Sequence, residues 1–275
     1  MANKNAPLVH RYFSRPEAFY VNSWIVEFNQ GLVIIDSQFL ISEAKGLVNK
    51  IREIGKPPMA LLITHPHPDH YNGGAFIKNV FPQIEIISTP KTFDGIKSSE
   101  GGKRAFWTPI HHEDYPTTTA FPSKIALSKE VVSILNTDFI FEDIGAGECE
   151  SMSTIFLPEH NILFSSDLIY NEVHPWLAEG RSLVWLEQIT RALNKYSNIG
   201  RVYPGHGAET DIIGFHRILH YINRFQQLLR TKGEFSQVAV ALKTEFPNYP
   251  LEMLIDYNIP ATVKELGLEA KEAKR

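Results

Sequence analysis

The feature that most constrains this chain is the sequence HPHPDH at residues 65–70, which holds three imidazoles and one carboxylate within six positions. It directly follows a short apolar segment that is typical of a buried strand. His65 and His67 each precede a proline, which favours an extended backbone, and residues two apart in an extended segment point to the same side. His65 and His67 can therefore share one divalent ion, while Asp69 and His70 can face a second one.

The alternative is that these are ordinary loop histidines, which is the usual interpretation of a single histidine. Three histidines and an aspartate packed this closely at the mouth of a buried strand are rare outside metal sites. The two prolines also stiffen the loop, so it loses less entropy when it becomes ordered around metal. The sequence therefore predicts a metal site.

Hydrophobic periodicity predicts mixed strands and helices in the first three quarters of the chain. Residues 19–28 and 31–36 predict a β-hairpin, and Ser42 is the predicted N-cap of a helix that ends near Ile54. Residues 93–122 show no clear period, and we interpret them as a long loop over the site. The other predicted strands are 59–63, 85–88, 134–141, 153–157, 162–164 and 201–203, and the other predicted helices are 72–80 and 183–196.

The C-terminal region predicts helices only. Apolar residues between Phe215 and Leu229 recur at helical spacing and predict a face that packs on the core. Association through this face, for example as a homodimer, is the alternative. The charged residues 269–275 are predicted to fray. We predict one domain over 1–212 with a helical extension over 213–275 packed on it.

Composition narrows the classes of partner and the location. Hydrophobic residues make up 43% and charged residues 21%, and the net charge of −4 lacks the basic surplus typical of nucleic-acid binding. The first sixteen residues contain no apolar signal-peptide core, and no apolar run is long enough to span a bilayer. The single cysteine, Cys149, excludes an internal disulfide and fits a reducing compartment. We predict a cytoplasmic protein with a small-molecule substrate and no nucleic-acid or membrane partner.

Three motifs together resemble the metallo-β-lactamase superfamily. Residues 65–70 resemble its H-x-H-x-D-H signature. Residues 162–167, ILFSSD, resemble the segment that supplies a metal-bridging aspartate, here Asp167. Residues 203–207, YPGHG, resemble the segment that supplies the last histidine, here His206. If the three motifs did not occur in the same order as in the superfamily, Asp167 could be a turn residue at the end of a strand and His206 a loop histidine.

The resemblance covers roughly residues 19–210. Within the superfamily, the sequence is most similar to the glyoxalase II-like and lactonase-like branch. The resemblance implies an α/β fold, a four-layer αββα sandwich with the metals at one edge of the two sheets and with extra C-terminal helices. Serine stands at position 166, where the family usually has a glycine before the aspartate.

A second departure concerns the first metal site. The family has a third histidine on a loop between the motifs, but the matching residues 145–151, GAGECES, contain none. Glu148 occupies its position, with Cys149 beside it, and both carboxylate and thiolate bind zinc. Glu148 is the predicted ligand. Cys149 as the ligand, or a site without a third ligand, are the alternatives.

The resemblance implies two divalent ions, in the first instance Zn²⁺. An anionic Glu148 in place of a neutral imidazole would lower the Lewis acidity of the first ion and favour Mn²⁺ or Fe²⁺. The implied metal ligands are His65, His67, Asp69, His70, Glu148, Asp167 and His206.

The implied activity is that of a metal-dependent hydrolase. A hydroxide shared by the two ions would attack a small to medium ester, thioester, lactone or lactam. Asp69 and Asp167 are the predicted catalytic residues, because Asp69 would orient the attacking water and Asp167 would bridge the ions. Trp107, His174 and Trp176 are predicted substrate contacts, although aromatic residues in these segments could equally be core residues.

Two other functions stay open. Two histidines and one carboxylate can hold non-haem iron, which predicts a mononuclear iron oxygenase that resembles a persulfide dioxygenase. The missing third histidine also fits a catalytically degenerate protein that binds metal as a sensor.

Overall fold

Two β-sheets packed face to face form the centre of the protein. The computed structural model describes residues 6–232 and 234–268. The strands are β1 (Leu8–Phe13), β2 (Asn22–Glu27), β3 (Leu32–Ile35), β4 (Pro58–Ile63), β5 (Glu85–Ser88), β6 (Lys124–Ile125), β7 (Val131–Ile134), β8 (Thr137–Gly145), β9 (Met152–Leu157), β10 (Ile162–Asn171) and β11 (Arg201–Gly207). The first sheet has six strands in sequence order, and the second has the order β11-β10-β9-β8-β7.

Strand direction places several loops at one edge of the sheets. β2 and β3 form the predicted antiparallel hairpin, while β3, β4, β5 and β6 run parallel to one another. In the second sheet, β10 and β11 are parallel and the other neighbours are antiparallel. The carboxyl ends of β3 and β4 therefore share one edge of the first sheet, and those of β10 and β11 share one edge of the second.

Helices cover the outer surfaces of both sheets. They are α1 (Ile41–Ile54), α2 (Pro68–Tyr71), α3 (Gly74–Val80), α4 (Pro90–His111), α5 (Ser182–Lys195), α6 (Ile212–Thr231), α7 (Phe235–Glu245) and α8 (Leu254–Glu265). Among the residues that the structure describes, no helix has both the length and the apolar character needed to cross a membrane.

Three apolar clusters lie between the layers and hold them together. Phe139 and Tyr203 belong to the cluster between the two sheets. Leu47 of α1 lies in a cluster on the outer face of the first sheet, and Phe215 of α6 and Ile259 of α8 lie in one on the outer face of the second. The resulting order of layers is helix, sheet, sheet, helix, and it confirms the predicted αββα sandwich. The division of the chain at residue 212 stays a prediction.

The interpretation of residues 93–122 as a long loop is wrong, because α4 extends through most of this segment. Thr89 caps the helix by accepting a hydrogen bond from the backbone N–H of Thr92 at 3.3 Å, and Pro90 occupies the first turn. Only Thr92 and Ile96 are buried within α4, so the helix has no continuous apolar stripe. Periodicity therefore gave no signal.

Two smaller predictions also need correction. Ser42 does not cap α1, since Leu40 is the N-cap residue and the Ser42 hydroxyl donates to Asp114 Oδ2 at 2.6 Å instead. The predicted strand 134–141 contains a tight turn between β7 and β8, where Leu135 and Asn136 have φ angles of 52° and 60°. Strand β1 was not predicted, and the frayed segment 269–275 lies outside the described residues.

Candidate metal centre

The fold brings the three motifs to the same edge of the sandwich. The run 65–70 leaves the end of β4 and enters α2. Tyr170 of β10 is in register with His206 of β11, so the ends of these two strands lie side by side. Glu148 lies in the turn between β8 and β9. Segments separated by more than a hundred residues therefore meet at one place.

A distortion of β10 presents Asp167. The register of β10 with β11 shifts on both sides of Ser166, whose φ of 52° lies in the left-handed region that glycine adopts most easily. Ser166 stands where the motif usually has a glycine, and in this conformation its hydroxyl reaches two residues of the first sheet's edge. Its Oγ donates to Thr64 Oγ1 at 2.8 Å and lies 2.9 Å from Nδ1 of His65, from which it accepts a hydrogen bond. Ser166 thereby orients a predicted ligand.

The predicted ligands fall into two groups. Each group offers donor atoms that all lie within 4.8 Å of one another. The first group matches the first predicted site, and the second matches the second site. Their members are His65, His67, Glu148 and Asp167 in the first group and Asp69, His70 and His206 in the second.

Asp167 lies between the two groups. Its Oδ2 is 3.9 Å from His65 Nε2 and 3.4 Å from His206 Nε2. Its Oδ1 is 3.4 Å from His70 Nε2, and Asp69 Oδ2 is 3.4 Å from the same nitrogen. A carboxylate in this position contacts ligands of both groups, as a bridging ligand must.

The second nitrogen of each histidine is held from outside the groups. His67 Nε2 donates to Glu179 at 2.9 Å, and His70 Nδ1 donates to Asp36 at 2.8 Å. His206 Nδ1 donates to the carbonyl oxygen of Phe19 at 2.9 Å. Such partners fix the ring orientation and the tautomer of metal-binding histidines, and they leave the other nitrogen free for an ion.

Several donor atoms of the two groups are buried and without a partner. Nε2 of His65, Nε2 of His70, Oε2 of Glu148 and Oδ1 of Asp167 form no hydrogen bond. Leaving a buried polar atom unpaired costs roughly 1–3 kcal/mol. Imidazole nitrogens and carboxylate oxygens that converge in this way are the donor set of a divalent transition metal. The residues present therefore fit metal ions.

Glu148, not Cys149, points into the first group. Oε1 of Glu148 lies 3.1 Å from His67 Nδ1, and its Oε2 lies 4.0 Å from His65 Nε2. The Cys149 thiol instead donates to the carbonyl oxygen of Ser151 at 3.2 Å. Burial raises the pKa of Cys149 well above its usual range, which opposes the thiolate form that binds zinc.

The opposite charges of the site shift the pKa values of its histidines and carboxylates. Burial lowers the pKa of His206, but Asp167 outweighs burial and raises it to about 9. Burial likewise lowers the pKa of His67, and Glu148 outweighs it and raises it to about 10. Burial raises the pKa of Glu148 to about 7 against the pull of His67. A divalent cation would take over the positive charge by displacing these protons.

Sequence reasoning missed the roles of Asp36, Glu179 and Tyr170. The Tyr170 hydroxyl donates to Asp167 Oδ2 at 2.7 Å, and its ring stacks on His206 with centroids 4.7 Å apart. Tyr170 follows Asp167 by three residues in the sequence, which was the available signal. Asp36 and Glu179 reach the histidines only through tertiary structure.

The three predicted substrate contacts differ in their placement. His174 is completely buried, and its Nδ1 lies 2.7 Å from the Tyr221 hydroxyl of α6, so it is a core residue in this conformation. Trp176 is half-buried near Tyr257 of α8. Trp107 lies on α4 against Phe19, the residue whose carbonyl oxygen holds His206. Trp107 is thereby linked to the second ligand group through Phe19.

A sandwich of two sheets, with side chains that could bind metal converging at one edge, is the arrangement of the αββα metal-dependent hydrolases. The sequence model of the Metallo-beta-lactamase superfamily matches residues 16–212, and the chain belongs to this superfamily.

The relatives agree with this membership. A metallo-beta-lactamase type 2 from Bacillus cereus is 26% identical over 204 residues, which cover 73% of this chain and 72% of the relative. A second metallo-beta-lactamase type 2, from Bacillus sp. strain 170, is 25% identical over 71% of this chain and 70% of its own length. The solved structure of a metallo-beta-lactamase from Pontibacter korlensis superposes with a TM-score of 0.62 at 16% identity, covering 81% of this chain and 97% of that one. That last similarity concerns the fold alone.

Proposed function

We propose that this protein is a hydrolase that uses two divalent metal ions to cleave a small to medium ester, thioester, lactone or lactam. The observation that carries this proposal is the position of Asp167 between two ligand groups, with its two oxygens each 3.4 Å from a histidine of the second group. Seven donor side chains exceed what one four-coordinate ion takes up. The arrangement therefore favours two ions over one.

When bound, the two ions would polarise the scissile carbonyl and make a water molecule acidic enough to react at neutral pH. The side chain of Asp69 is 14% exposed and lies beside His70 and His206, where its carboxylate can accept a hydrogen bond from the attacking water. Tyr170 keeps its proton, since burial raises its pKa well above the usual range. Its hydroxyl therefore stays a hydrogen-bond donor to Asp167 Oδ2, and it holds this carboxylate in position.

Glu148 bears on the identity of the ions. Three of the seven donor side chains are carboxylates, so the site with two divalent ions would carry a net charge of plus one. With a histidine in place of Glu148, the net charge would be plus two. We therefore expect Mn²⁺ or Fe²⁺ to compete with Zn²⁺ better at this site than at an all-histidine first site.

The test combines metal analysis with a panel of activated esters, thioesters, lactones and lactams. Purified protein is expected to hold close to two ions per chain and to cleave at least one class, and chelation should abolish the cleavage. His67→Ala and Asp167→Asn should lose both activity and metal. His216→Ala is the control, because His216 is exposed on α6. Cleavage that persists after complete metal removal would refute the proposal.

An iron oxygenase is the second candidate, because His65, His67 and Glu148 form a set of two histidines and one carboxylate within the first group. Oxygen uptake with glutathione persulfide, together with iron as the bound metal, would support it. Zinc or manganese without oxygen uptake would exclude it.

A further inference from the structure

We propose that Lys103 of α4 binds an anionic group of the substrate, so that the protein acts on compounds that carry a carboxylate, phosphate or sulfate beside the bond to be cleaved. This inference rests on the proposed hydrolase function. It concerns the part of the substrate that does not react, for which the ligand groups provide no recognition.

Helix α4 lies directly against the metal-binding run. A Cβ atom on Gly95 would come within 2.7 Å of the Pro66 ring, so the helix approaches this proline as closely as a glycine permits. Eight residues later, Lys103 Nζ donates to the carbonyl oxygen of Pro66 at 2.6 Å. Because Pro66 stands between His65 and His67, the ammonium group of Lys103 is held at the first ligand group.

The ammonium group of Lys103 is not neutralised by a contact. Among the described residues, it forms no ion pair, and its hydrogen bond to Pro66 uses one of the three ammonium protons. Burial lowers the pKa of Lys103, while Cys149, Glu179 and Asp69 act at longer range to raise it. Once divalent ions neutralise the ligand carboxylates, Glu179 remains as an anion that acts on Lys103, but its carboxylate is already engaged by His67 and Arg181. An anion on the substrate would give this half-buried cation a counter-charge in direct contact.

Other cations of α4 do not share this situation. Arg104 pairs with Glu100, one turn away on the helix. Lys91 pairs with Asp143, and Lys97 is exposed. Lys103 is thus the cation of α4 that is partly buried, has N–H donors to spare and contacts the run 65–70.

Trp107 extends the same surface by one helical turn. Its ring lies 5.7 Å from that of Phe19 and 5.3 Å from that of Phe39, in edge contacts. Residues four apart on a helix lie on the same face, so Lys103 and Trp107 are neighbours on the side of α4 that faces the ligand groups. A substrate could place its anionic group at Lys103 and an apolar part along Trp107.

The experiment uses a probe that does not depend on knowing the substrate. Full-length protein is loaded with Co²⁺, and 3-mercaptopropionate and its uncharged amide are titrated while the thiolate-to-cobalt absorption is recorded. The wild-type protein is expected to bind the acid about 10- to 100-fold more tightly than the amide. Lys103→Met should reduce this ratio to near one, Lys103→Arg should keep most of it, and Lys97→Met should leave it unchanged.

The ratio separates recognition from a structural effect, because a merely displaced metal loop would weaken both thiols equally. An unchanged ratio in Lys103→Met overturns the proposal, and so does an equal preference for both thiols in the wild type. If the ratio behaves as expected but the panel of hydrolysable compounds is not cleaved, the hydrolase function fails while the anion site stands. Absence of any thiolate absorption would refute the metal centre and the anion site together.

Discussion

Replacing Glu148 with glutamine would remove one negative charge from the first ligand group and keep the size of the side chain. The Glu148 side chain is 1% exposed, and its two oxygens lie 3.1 Å from His67 Nδ1 and 4.0 Å from His65 Nε2. Any ion that these two histidines share would therefore lie within reach of the carboxylate. The substitution exchanges a charged donor for a weak neutral one.

The size of the effect follows from Coulomb's law. Two unit charges about 4 Å apart attract each other by about 4 kcal/mol at an effective dielectric constant of about 20. A divalent ion would double this value, but the cost of dehydrating the ion and the carboxylate offsets much of the gain. We expect Glu148→Gln to weaken binding at the first site by about 3–4 kcal/mol, or roughly 10²- to 10³-fold. The second site should change much less.

Competition with a chromophoric chelator measures the two zinc affinities separately. Glu148→His should recover most of the lost affinity, because it restores a neutral nitrogen donor at the same place. Glu150→Gln is the matched control, since it removes the same charge from an exposed position in the same turn. Zinc affinities of Glu148→Gln within twofold of the wild type, or an equal loss in Glu150→Gln, would refute Glu148 as a ligand.

The remaining predictions concern residues around the site and in the core. Tyr170→Phe should weaken metal affinity about 10- to 100-fold, because the hydroxyl that donates to Asp167 is lost; an unchanged metal affinity would show that Tyr170 does not support this ligand. Burial lowers the pKa of His174 from its usual 6.5 to about 4, so the folded state holds this histidine neutral and loses stability as the pH falls through this interval. The loss should reach about 3 kcal/mol in the free energy of unfolding. His174→Gln should flatten this pH dependence, and an unaltered slope would show that another group is responsible.

Local sequence predicted the elements whose signal is local. The strand before residue 65 and the hairpin of β2 and β3 follow from apolar patterning. The placement of His65 and His67 follows from their two-residue spacing. Asp167 and His206 could be proposed only through the order of motifs that the chain shares with its superfamily.

The unpredicted features depend on tertiary contacts. Asp36 and Glu179 hold His70 and His67, but neither residue is near its partner in sequence. Helix α4 was missed because its surface is mostly exposed and its buried face is limited to Thr92 and Ile96. Its importance lies in its contact with Pro66, which a sequence pattern does not reveal.

Glu148 and Lys103 have opposite effects on the charge at the first ligand group. Glu148 in place of a histidine would remove one positive charge from the loaded centre, and Lys103 returns one charge beside the same histidines. The two groups attract each other without forming a direct contact. The reactive ions would then be less electrophilic, while the attraction of an anionic substrate is preserved in a separate residue. On this argument, substitution of Lys103 should impair binding of anionic compounds, whereas substitution of Glu148 should mainly alter the metal affinity.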